Sequence, residues 1–149
     1  MEKVSTHCTR LQWRAEGSFS HEGYNKNHQA DLGNDVLVPV AAANNAIGTD
    51  PEKLLAASLA SCHMLTFLAL ASKKRLVVES YDDEPVAQLV KRDDGKFCVS
   101  EIRLMPKVVF GGDKQPDEEA INAMHHKAHD HCFIANSITC EVVVEPVFG

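Results

Sequence analysis

Residues 49–75 read TDPEKLLAASLASCHMLTFLALASKKR, and the reading of this stretch decides the fold. Thr49 or Asp50 can cap a helix, because a side-chain oxygen there satisfies a free backbone N–H of the first turn. Pro51 suits the first helical position, where no N–H is needed. Glu52 favours the positive end of the helix dipole, and Lys73, Lys74 and Arg75 complement the negative end. Between them, Leu54 to Ala71 carries 14 apolar residues in 18. A run of that length raises the question of a membrane span. Its many alanines, with Ser58, Ser61, His63 and Thr66, leave it weakly lipophilic. The expectation is therefore a long helix buried nearly all round inside a protein.

On either side of this helix the sequence turns to strands. CTRLQWRAEGSF (8–19) reads as a strand ending at Gly17, and QADL (29–32) with VLVPV (36–40) flank a Gly33-Asn34-Asp35 turn as a hairpin. Beyond the helix, LVVESY (76–81), PVAQLV (85–90) and FCVSEIRLMPKVVF (97–110) are rich in Val, Ile and aromatics, with Asp93-Asp94-Gly95 as a turn between the last two. A second helix is expected from Pro116 to about His131, with Asp117, Glu118 and Glu119 in its first turn. ITCEVVVEPV (138–147) closes the chain as a strand. The order is strands, long helix, strands, helix, strand: an α+β architecture.

The 149 residues suit one domain, 1–149, with enough chain to bury a core without disulfides or a structural metal. There are no repeats and no linker rich in Gly, Pro or Ser. The composition, 44% hydrophobic and 24% charged, is that of a globular protein. A net charge of −6 repels phosphate backbones and anionic membrane surfaces, so neither nucleic acid nor membrane is expected as a partner. Five cysteines without a CxxC do not make a secreted disulfide framework. The N-terminal MEKVSTHCTRLQW has no apolar signal-peptide core, and the expected location is the cytoplasm.

Two cysteines stand out by position. Cys62 lies mid-helix, with Ser58 and Thr66 one turn either side, so two hydroxyls could donate to a thiolate there. Cys132 continues the apolar stripe Ile121, Met124, Ala128 of the second helix. Taken singly, each is also a small hydrophobe of the kind cores contain. Cys8, Cys98 and Cys140 lie in strand-like segments with no sign of reactivity. The run HHKAHDHC (125–132) places His125, His129 and Cys132 on one side of the helix, a set of N/S ligands for a transition metal. Its spacing matches no strong zinc signature, and imidazoles also suit a helix C-terminus, so no metal is assigned.

The segment TDPEKLLAASLASC (49–62) resembles the signature of the OsmC/Ohr family of thiol peroxidases, which carry a Pro-Glu pair and a Cys ten residues after the Glu in an Ala-rich helix. AHDHCFIANS (128–137) resembles the family's second cysteine segment, and YNKNH (24–28) a marker of its OsmC-like branch. The resemblance covers most of the chain. It implies an OsmC-like fold, with antiparallel sheets around a long buried central helix in an intertwined homodimer. It also implies a peroxidase of organic hydroperoxides, and of hydrogen peroxide as a further substrate. By carry-over Cys62 is the peroxidatic thiol and Cys132 the resolving one. Glu52 orients a cation that activates Cys62. The family has an arginine there; the best-matching residue here is Lys26, with Arg10 and Arg14 as alternatives. No cofactor is implied beyond an external dithiol or lipoyl-type reductant, and the substrate is a small hydroperoxide.

Ten residues of straight helix rise about 15 Å, so Glu52 does not reach Cys62 of its own chain. A site that uses both takes Glu52 from a second copy, which again points to a homodimer with composite sites. The alternative for Glu52 is a carboxylate at a helix N-terminus and no more. Leu55, Leu59, Met64 and Phe67 are expected to give the site an apolar lining that favours organic hydroperoxides. Two other functions compete. One is a binding protein that holds a metal or small apolar ligand through the His-Cys helix. The other is a hydrolase pairing Cys62 with His63 or with a histidine of the second helix.

Overall fold

In the computed structural model, which describes residues 1–149, helix α1 spans Pro51–Lys73. Of the two caps the sequence offers, Asp50 is the one used: its Oδ1 accepts from the Lys53 N–H at 2.8 Å. At the far end the chain turns through Arg75, at φ 58°, and the Leu76 and Arg75 N–H groups donate to the carbonyls of Ala71 (3.0 Å) and Ser72 (2.9 Å). This is a Schellman closure with arginine where glycine is usual. The sequence reads as one domain; contacts group the chain into two compact units, Met1–Leu54 and Leu55–Gly149, described in turn.

In the first unit, β1 (Arg10–Gln12), β2 (His28–Asp31) and β3 (Leu37–Val40) form an antiparallel sheet in that order. The Gly33-Asn34-Asp35 turn is present, with all three residues at positive φ (92°, 53° and 61°). The expected strand to Gly17 is not: β1 stops at Gln12. There the chain exchanges the ladder for aromatic packing. Trp13 Nε1 donates to the Asn25 carbonyl (2.7 Å), and Phe19 meets Trp13 edge-on at 5.7 Å and Tyr24 at a tilt at 5.5 Å. Before α1, the Asn45 side chain organises a loop, accepting from the N–H of Ile47 and Gly48 and donating to the carbonyls of Ala42 and Thr49. Gly48 passes so close to the Pro39 carbonyl that a Cβ would lie 2.3 Å from its oxygen, so only glycine fits.

In the second unit, the buried residues of α1 are Ala56, Leu59, His63, Phe67 and Ala71, a stripe at helical spacing. Two cores lie along it. Leu59 packs with Ile102, Leu104 and Cys132, and Phe67 and Ala71 with Met124 and Ala128. The expectation of burial all round is not met: Ser58, Ser61, Leu65 and Ala69 face outward, and Leu65 is 61% exposed. By length and hydropathy α1 is apolar enough to cross a membrane, with 33% of its apolar window buried by packing.

β4 (Val77–Asp82) pairs antiparallel with β7 (Lys107–Gly111). β5 (Val86–Lys91) pairs antiparallel with β6 (Phe97–Leu104), which pairs in turn with β8 (Glu141–Val144). Two readings are corrected here. The stretch 97–110 is two strands in two sheets, broken where the Met105 N–H donates to Asp83 Oδ1 (2.7 Å) and buried Pro106 has no N–H to give a ladder. The sheets are antiparallel except β6–β8, which is parallel, because α2 (Glu118–His131) and a 3-10 turn (Ala135–Ser137) return the chain to the start side of β6. The N-cap of α2 is Asp117, whose side chain accepts from Ala120 N–H.

Candidate active site

Cys62 comes from the middle of α1 and Cys132 from the C-cap of α2. Cys62 packs against the core cluster that holds Cys132, and the two thiols are near enough to influence each other. Their surroundings differ. Cys132 has no exposed surface and belongs to the Leu59 core. Burial pushes its thiol up to about 11, against the help of the Ala135 N–H, which donates to Sγ at 3.5 Å. So Cys132 holds its proton at neutral pH.

Cys62 is partly buried and faces a cavity of about 800 Å³. Leu65, Ala69, Leu70 and Phe133 supply apolar walls, Lys73 and Lys127 bring cationic groups, and His131 adds an imidazole. Phe133 stands 81% exposed at the rim. Thr66 does not serve the thiol as expected: its Oγ1 donates to the Cys62 carbonyl at 2.8 Å, the usual bond of a mid-helix threonine to the preceding turn. Ser58 lines the same cavity. Of the apolar residues expected to line the site, Leu59 and Phe67 are instead fully buried in the cores, and Leu65 and Leu70 take that part. Leu70 and Lys73 follow Cys62 by eight and eleven positions, so helical periodicity could have found them. Lys127 carried no signal in the sequence beyond its place in the histidine run.

The histidines form a separate centre. His63 Nε2 and His125 Nδ1 are 3.0 Å apart between rings inclined by only 5°, both almost wholly buried, with Phe67 stacked on His125 at 4.2 Å. Burial, with each other or His129 as a further like charge, lowers His63 to about 4 and His125 to about 3. Neutral imidazoles can share one hydrogen bond where two cations could not. No hydrogen bond joins His63 to Cys62; the His63 Nε2 is engaged by His125 instead. The same contact separates the histidine run, because His125 turns to His63 while Cys132 lies in the Leu59 core. Nowhere do three or more His, Cys, Asp or Glu side chains converge as a metal site.

The other two residues expected at the site, Glu52 and Lys26, lie in the first unit. Glu52 sits in the first turn of α1, and its Oε2 is buried with no hydrogen-bond partner. α1 is unbroken, so the ten residues from Glu52 to Cys62 correspond to about 15 Å of rise. Lys26 is exposed, with Nζ 5.6 Å from the centre of the Tyr24 ring. It lines a cavity of about 520 Å³ with Trp13, Phe19, Tyr24, His28 and Pro51. No ion pair joins Lys26 to Glu52; Arg10 pairs loosely with Asp31 at 4.0 Å, and Arg14 donates to the Trp13 carbonyl.

Residues 43–147 match the family model described as OsmC-like protein. Among solved structures, the chain is similar to an OsmC-like protein of unknown function from Vibrio cholerae, with 36% identity and a TM-score of 0.90 over 97% of this chain and 100% of that one. It also shares its fold with the organic hydroperoxide resistance protein OhrB of Bacillus subtilis, at 21% identity and a TM-score of 0.68, covering 94% and 98% of the two chains. The Bacillus subtilis protein YmaD is 25% identical over 111 residues, 74% of this chain and 73% of that one. The expected α+β, OsmC-like fold is the one observed, and the chain belongs to the OsmC-like family.

Proposed function

We propose that this protein is a cysteine-based peroxidase of organic hydroperoxides. The observation that carries the reading is the packing of two unlike thiols: Cys62 open to a large, mostly apolar cavity and Cys132 fully buried in the core against which Cys62 packs. Only a thiolate attacks a peroxide oxygen. Cys62 attacks the terminal oxygen, the O–O bond breaks, and the alkoxide takes a proton and leaves as an alcohol. Cys62 is left as a sulfenic acid. Cys132 then attacks its sulfur, water departs, and a Cys62–Cys132 disulfide forms before further oxidation. An external dithiol, free or lipoyl-type, returns both thiols by exchange and is itself oxidised.

The reading includes a homodimer, in which Glu52 and Lys26 of a second copy complete the site. Two features support it: a buried carboxylate oxygen on Glu52 without a partner, and an outward face of α1 that leaves Leu65 exposed. A buried carboxylate normally finds a cation or a donor. Lysine supplies the charge without the planar fork of arginine, so activation of Cys62 is expected to be weaker than an arginine would give. The cytoplasm, with its reducing thiol pool, is the matching compartment. The test is consumption of cumene hydroperoxide by the protein with a dithiol reductant. The reading predicts turnover that Cys62→Ser abolishes; a rate no higher than the protein-free control contradicts it.

A further inference from the structure

Away from the thiols, a cleft of about 360 Å³ opens between the end of α1, Leu76 and the first turns of α2. Leu70, Leu76 and Met124 give it an apolar floor, and Lys74, Lys114 and Lys127 stand around it. No carboxylate lines it, although the chain as a whole carries a net charge of −6. None of the three lysines takes part in an ion pair. A solvated surface on an acidic chain intersperses both signs of charge; three unpaired cations around one apolar hollow do not fit that pattern. One of them is held in place: Lys114 Nζ donates to the Lys74 carbonyl at 3.0 Å, at the helix end where carbonyls lack partners.

We infer that this cleft binds an anionic amphiphile, an unbranched medium-chain carboxylate. Its chain lies on Leu70, Leu76 and Met124, and its carboxylate lies among the lysine ammonium groups. The volume is that of a small-molecule site, and the few polar groups at its edge set orientation while the apolar floor supplies contact. Ammonium groups on flexible stems accept a carboxylate from several directions, so the site selects charge and chain rather than a fixed head-group shape. Leu70 and Lys127 also line the cavity before Cys62, but neither Cys62 nor Cys132 lines this cleft.

The inference is independent of the peroxidase reading, because binding is measured without turnover. Calorimetric titration of the full chain with sodium decanoate is expected to give saturable binding of one equivalent per chain, weakened by salt. Decanol, which keeps the chain and loses the charge, is expected to bind at least tenfold more weakly. Lys74→Glu/Lys114→Glu, at two exposed positions, is expected to remain cooperatively folded and lose at least tenfold in decanoate affinity. Cys62→Ser is expected to bind decanoate as the parent does. Equal affinity for decanol and decanoate, an unchanged affinity in the lysine variant, a loss in Cys62→Ser, or no saturable heat would each overturn the assignment.

Discussion

His63 Nε2 lies 3.0 Å from His125 Nδ1, in a layer formed by the buried faces of α1 and α2. With Phe67 against one ring and Tyr81 and His129 near the pair, no carboxylate is placed to stabilise a cation there. The folded chain therefore holds both rings neutral, His63 down to about pH 4 and His125 to about pH 3.

A loss of stability in mild acid follows. Above the unfolded value of 6.5 neither state protonates these rings, and their contribution to stability is complete. Below it the unfolded chain takes up protons that the folded chain refuses, so stability falls with pH until about 4 and then 3. Each ring can contribute up to about 1.4 kcal/mol per pH unit within that window. Urea denaturation at pH 7.5 and 5.0 is expected to lose a few kcal/mol more in the parent than in His63→Leu/His125→Leu. Equal losses in the two proteins would show that the pair does not set the acid response.

The unlike environments of the thiols predict unequal labelling. With iodoacetamide at pH 8, Cys62 is expected to alkylate within the folded chain, as exposed Cys8 does, while Cys132 stays unmodified until denaturant is added. Peptide mass spectrometry over time reads each site separately. Equal rates at Cys62 and Cys132 would contradict the placement of Cys132 in the core.

Asp50, not Thr49, caps α1. Asp50→Ala is expected to cost about 1 kcal/mol or somewhat more, because it frees the Lys53 N–H and a buried position, whereas Thr49→Ala is expected to cost under about 0.5 kcal/mol. Thermal or urea unfolding of the two variants checks this, and the reverse order would move the cap to Thr49.

Leu65 provides the test of assembly. Sedimentation velocity at micromolar concentration is expected to give twice the chain mass, with Leu65→Asp shifted to the monomer because a carboxylate is set into an apolar face. A parent protein that sediments as a monomer would remove the second copy from the site, and Glu52 would then stand as a helix N-terminal carboxylate.

The two helices were legible because their signals are local. Asp50, Pro51 and Lys73 mark α1 within one segment, and Met124, Ala128 and Cys132 mark the inward stripe of α2. The pairing of Cys62 with Cys132 was legible only through the resemblance of their two segments to one family; which helix faces meet is set by packing between distant segments. The break at Met105-Pro106 was missed because its cause, the Asp83 side chain taking the Met105 N–H, comes from 22 residues away. The parallel β6–β8 pair depends on the path through α2, which no residue of ITCEVVVEPV announces. Burial of α1 was overstated because an apolar sequence does not say whether its outer face meets the same chain or something else. His63 and His125, 62 positions apart, carried no sign of each other.

The most direct test of the peroxidase account uses one equivalent of cumene hydroperoxide on the fully reduced protein, followed by quenching and peptide mass spectrometry. The account predicts loss of about two mass units per chain, a single Cys62–Cys132 disulfide reversed by dithiothreitol, and in Cys132→Ser a dimedone-trappable sulfenic acid on Cys62. A protein that keeps both thiols, or that forms its disulfide through Cys8, Cys98 or Cys140, would contradict it.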